Sequence, residues 1–99
     1  MHKKGYVYMM SSPSKSTLYV GVTSNLIERV QQHKDKVYSK SFTTKYNCVM
    51  LVYYCAYENI MDAIVEEKRL KGCSRSYKEK LICVHNPQMI DLVSQIDRL

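Results

Sequence analysis

Apolar and polar positions alternate with a period of two over residues 5–10 and again over residues 17–22, which predicts two short β-strands. Between them Ser11 to Ser16, interrupted by Pro13, has turn chemistry, so the strands are expected to pair as a hairpin. Val7 and Met9 share one face of the first strand, and Leu18, Val20 and Val22 share one face of the second. If Val7 and Met9 join Leu18 and Val20 in one core, Tyr8 and Tyr19 fall on a common opposite face, together with Gly21. A glycine on a strand face is a common sign of close approach by a ligand or another backbone. Two phenols beside such a gap read as the floor of a site.

Downstream, Thr23-Ser24-Asn25 offers N-cap candidates for a helix over roughly residues 25–35, with Leu26, Ile27 and Val30 as its apolar stripe. Arg29 and His33, four apart, stack on one edge of that stripe. Residues 34–47 are polar and basic. They read either as a solvated loop or as a flexible arm in which Lys36, Lys40 and Lys45 meet phosphates while Tyr38, Phe42 and Tyr46 stack on bases. The near-continuous apolar run from Cys48 to Ala56 predicts a buried third strand. A second helix is expected over roughly residues 59–71, stopped by Gly72. Its apolar positions Ile60, Ala63 and Ile64 continue by spacing to Glu67, a carboxylate that is costly there unless paired or bound to a metal. Ser74 or Ser76 then caps a third helix containing Tyr77, Leu81, Ile82 and Val84. Asn86-Pro87 ends it and is expected to open a last helix with Ile90, Leu92, Val93 and Ile96 inward. The fold class is α/β of the α+β type: a small three-stranded antiparallel sheet, first strand central, flanked by helices.

Length and composition narrow this picture. Ninety-nine residues suit a single domain over 1–99, with residues 1–4 expected as a mobile basic tail. A net charge of +6 favours a polyanionic partner. No apolar run is long enough for a bilayer and the chain opens directly into a strand, so no membrane association and a cytoplasmic location are expected. Cys48, Cys55, Cys73 and Cys83 lack Cys-x-x-Cys spacing, which argues for buried reduced thiols and against a zinc site.

The hairpin resembles the signature of the GIY-YIG nuclease superfamily. Tyr19-Val20-Gly21 matches its second half with Val for Ile; Tyr6-Val7-Tyr8 keeps the aliphatic and the tyrosine of the first half, with Tyr6 where the name motif has glycine. Small standalone members often read Tyr-Val-Tyr here, and Glu67-Lys68-x-Leu70-Lys71-Gly72-x-Ser74-Arg75 looks like that branch. The resemblance runs from residue 6 to about residue 92. It implies catalytic roles for Tyr8, Tyr19, Arg29, His33 and Glu67, with Glu67 holding one magnesium or manganese ion. It also places Asn86 at the ion's hydration shell or at a helix end.

The implied activity is metal-dependent hydrolysis of DNA phosphodiester bonds, in repair or processing. Arg29 would grip non-bridging phosphate oxygens through its planar fork. Tyr8 and Tyr19 would position the attacking water, and Tyr8, Tyr19 and His33 all stand as candidates for its base. Lys36, Lys40, Lys45 and Tyr46 are the nucleic-acid contacts expected outside the centre, with RNA as an alternative substrate. Two other readings stand beside this one: a non-catalytic nucleic-acid-binding module, and a nuclease subunit active only with a protein partner that supplies specificity.

Overall fold

The computed structural model describes residues 3–97. A three-stranded antiparallel sheet contains β1 (Gly5–Ser11), β2 (Leu18–Thr23) and β3 (Met50–Tyr57) in the order β2-β1-β3. Every residue of β1 is buried, because helices cover both faces of the sheet. The hairpin register pairs Tyr8 with Gly21 and Met10 with Tyr19, so the two tyrosines do share a face. On that face Tyr8 and Met10 pack with Leu26 and Val30 of α1 (Leu26–Lys34) and with Leu92 and Ile96. On the other face Val7, Met9 and Val20 pack with Ala63 and Leu70 of α3 (Ile60–Lys71) and Ile82 of α4 (Arg75–His85).

Local signals explain most boundaries. The side chain of Asn25 accepts from the Glu28 amide at 3.1 Å to cap α1, and Ser74 accepts from the Tyr77 amide at 3.1 Å to cap α4. Gly72 follows the last turn of α3. Arg75 donates to the backbone carbonyls of Lys15 and Ser16, fastening the β1–β2 turn to the start of α4.

Three expectations are corrected. The segment after α1 is not wholly irregular: Phe42–Lys45 forms a short helix, α2, capped by Ser41, and Thr43 on it is buried. The last helix is absent, leaving a 3-10 turn at Val93–Gln95. In its place Asn86 folds the chain back, accepting from the Ile90 amide (3.1 Å) and donating to the Ile90 and Val52 carbonyls (2.8 and 3.1 Å), with Met89 at φ 49°. Asp91 then takes the Leu51 and Val93 amides and pairs with Lys34, so Ile90 is exposed while Leu92 and Ile96 are buried. Of the cysteines only Cys48 is buried, and Cys83 on α4 is exposed beside exposed Val84. The Lys3 carbonyl accepts from the Ile60 amide at 2.7 Å; of the tail expected over residues 1–4, Met1 and His2 lie outside the described residues. No helix among the described residues is long and apolar enough to cross a membrane.

Candidate active site

The site is built on the Tyr8–Gly21 pair. A methyl group at Gly21 would land on the Cζ and Oη atoms of Tyr8, so the glycine is required by the phenol that lies across it. The gap expected on this face is therefore filled from within, by Tyr8 rather than by a ligand. Burial of this ring is complete, and burial, reinforced by Tyr19, pushes its hydroxyl well above the ordinary phenol range against the pull of Arg29.

The Tyr8 hydroxyl lies 2.8 Å from Nε2 of His33, and Nδ1 of His33 lies 2.8 Å from Oγ1 of Thr43. His33 occupies the core stripe of α1 with Leu26 and Val30, a place that apolar spacing alone assigns to Ile27; Ile27 is instead exposed. Burial, and secondarily the Arg29 charge, lower the His33 pKa to about 4, so the ring is neutral at pH 7. A neutral ring that donates from Nδ1 to Thr43 accepts the Tyr8 proton at Nε2. Thr43 joins the site without belonging to any motif, and its only sequence signal is a short polar run between two aromatic positions.

Tyr19 completes the cluster, its ring centroid 6.2 Å from that of Tyr8 and 5.5 Å from that of His33. Unlike Tyr8 and His33, it is only partly buried, and it faces a groove of about 290 Å³ lined by Leu18, Tyr19, Val20, Phe42, Lys71 and Lys78. Arg29 is half-buried, its guanidinium 5.3 Å from the centroid of the Tyr38 ring and bonded to Gln32 at 3.1 Å.

Glu67 comes from α3, which packs on the opposite face of the sheet from α1. Its place on the buried stripe is as expected, at 9 % exposure. Its carboxylate meets the Lys71 ammonium at 2.9 Å, and that ammonium lies 5.9 Å from the Tyr19 ring centroid. The carboxylate thus connects to the tyrosine face around the edge of β2, through Lys71. The carboxylate raises the Lys71 pKa. Among the described residues no three His, Cys, Asp or Glu side chains cluster as a metal site. Glu67 stands as a single carboxylate that already accommodates a cation, and one carboxylate with waters and a substrate phosphate is a donor set that suits magnesium.

The outlying residues divide. Lys36 and Lys40 are exposed, and Lys45 lies 5.5 Å from the centroid of the Tyr46 ring at the end of α2, which makes Lys45 and Tyr46 helix-end rather than loop residues. Asn86 is buried, and both its amide protons and its oxygen are committed to backbone. It stands at the end of α4 as its C-cap, the helix-end place that was one of the two expected for it.

Comparison with known proteins identifies the family. The family described as the GIY-YIG catalytic domain matches residues 4–80. A UPF0213 protein of Syntrophus aciditrophicus is 33 % identical over 85 residues, covering 86 % of this chain and 95 % of its own. Another, from Pediococcus acidilactici, is 35 % identical over 89 residues and 89 % of each chain. The solution NMR structure of a UPF0213 protein from Bacillus halodurans superposes with a TM-score of 0.56 at 21 % identity, covering 97 % of this chain and 99 % of that one, a likeness of fold. The chain belongs to the GIY-YIG nuclease family.

Proposed function

We propose that this protein is a metal-dependent endonuclease that hydrolyses DNA phosphodiester bonds, serving DNA repair or processing. The observation that carries the reading is the convergence of the Tyr8, Tyr19 and His33 rings, with centroids within 6.2 Å of one another, and Arg29 one turn before His33 on α1. Arg29 would hold the non-bridging oxygens of the scissile phosphate, which gains charge as water attacks. Tyr19 is the phenol with access to solvent, and it would hold that water. Tyr8 and His33 lie behind it as a buried, mutually hydrogen-bonded pair that orients Tyr19 rather than meeting substrate. Glu67 would hold a magnesium or manganese ion, which when bound supplies Lewis-acid polarisation of a phosphoryl oxygen. Lys71 would have to release Glu67 for that to occur.

The closed state of these groups favours a second reading. Tyr8 and His33 are 0 % and 3 % exposed and Glu67 is already paired, so a partner or the DNA itself would open the site. Incubating the pure protein with branched, nicked and single-stranded DNA and either magnesium or manganese tests both readings. Cleavage that Arg29→Ala slows by about 10² or more supports the first. Cleavage that needs an added protein fraction supports the second. Salt-sensitive binding without cleavage under any condition would leave a binding module only.

A further inference from the structure

The groove beside Tyr19 has a composition that phosphate chemistry does not call for. Partly exposed Leu18 gives it an apolar patch at the free edge of β2, Tyr19 and Phe42 an aromatic wall, and Lys71 and Lys78 two cations. Phe42 stacks on Tyr19 with centroids 5.9 Å apart and planes at 30°, and Tyr46 follows at 4.6 Å. Both outer rings nevertheless remain exposed, Phe42 at 45 % and Tyr46 at 44 %. Among the described residues the Lys78 ammonium has no ion-pair partner. An aromatic ladder leading outward from Tyr19, flanked by cations, is the composition of sites that take bases of single strands: π-faces bury the base while ammonium groups meet the backbone.

We infer that this groove binds one unpaired DNA nucleotide next to the cleaved bond, its base against Phe42 and Leu18 and its flanking phosphates at Lys71 and Lys78. The inference rests on the nuclease reading for its neighbour at Tyr19, and it specifies the substrate class as DNA with a single-stranded stretch at the cut. A volume of about 290 Å³ is the size of a single nucleotide. A paired base has both faces covered by its neighbours in the stack, so only an unstacked one gains by burial here. The two lysines select an anionic chain over a neutral ligand of similar shape.

Fluorescence anisotropy in EDTA separates this from cleavage. The probes are a blunt duplex, the same duplex with a short single-stranded tail, and one whose tail carries abasic sugars. The tail should raise affinity about tenfold, and the abasic tail should lose most of that gain while keeping the charge. Phe42→Leu, which keeps an apolar side chain but removes the ring, and Lys78→Gln should each remove most of the tail's advantage, read as the ratio of tailed to blunt affinity for each variant. Thermal melting of both variants checks that they fold. Equal affinity for tailed and blunt DNA, an abasic tail bound as tightly as the intact one, or parental preference in both variants would overturn the inference. Absence of metal-dependent cleavage would defeat the nuclease reading while leaving a measured tail preference intact, so the two failures are distinct.

Discussion

The hydroxyl of Tyr8 on the central strand lies 2.8 Å from Nε2 of His33 in the last turn of α1, and both side chains are sealed from solvent. Burial of His33, and secondarily the Arg29 charge, makes stability depend on pH. The folded His33 pKa of about 4 lies below the ordinary value of 6.5, so between them the unfolded chain binds a proton that the folded chain refuses. Stability from His33 is complete above pH 6.5 and declines as pH falls toward 4. Denaturant melts at pH 7, 5.5 and 4.5 should show a falling midpoint, and His33→Gln should flatten the trend. An unchanged trend in the variant would place the acid sensitivity elsewhere.

Glu67 and Lys71 form an ion pair with one partner buried and the other half-exposed, at side-chain exposures of 11 % and 52 %. Such a pair with a solvated ammonium contributes up to about 1 kcal/mol. Glu67→Gln should therefore change unfolding free energy by no more than about 1 kcal/mol while nearly abolishing metal-dependent cleavage and sparing DNA binding. Loss of the fold, with specific activity of the surviving folded fraction intact, would make Glu67 a structural ion-pair partner and remove it from the metal site.

Asn86 offers the opposite signature. Its three side-chain hydrogen bonds to backbone hold the turn that brings Leu92 and Ile96 onto the core. Asn86→Ala should cost about 2–3 kcal/mol, since buried backbone groups lose their partners. Activity per folded molecule should stay at the parental level. A variant of parental stability that has lost cleavage would instead restore a role for Asn86 at the ion.

Lys36, Lys40 and Lys45 are exposed along the connection between α1 and the end of α2. Replacing all three with Gln should lower the slope of log affinity against log salt by about 2–3, at about 0.9 for each duplex phosphate that is no longer neutralised. Titrations of one duplex across a salt series measure this directly. A slope equal to the parent's would move the phosphate-binding surface away from this connection.

What the sequence determined by itself is what short-range periodicity carries. The two strands, their shared tyrosine face and the buried stripe position of Glu67 follow from repeats of two and of three to four, which backbone geometry imposes locally. The caps at Asn25 and Ser74 are equally local, each a side chain reaching three residues ahead. Tertiary structure decided the rest, because it depends on groups distant in sequence. His33 displaced Ile27 from the core because Tyr8 and Thr43, 25 and 10 residues away, satisfy both its ring nitrogens. The last helix gave way to a turn because Asn86 and Asp91 found backbone partners on β3, 34 and 40 residues back. The same long-range packing put the Tyr8 ring over Gly21 and connected Glu67 to Tyr19 around the sheet edge through Lys71, relations that no pattern within a single element encodes.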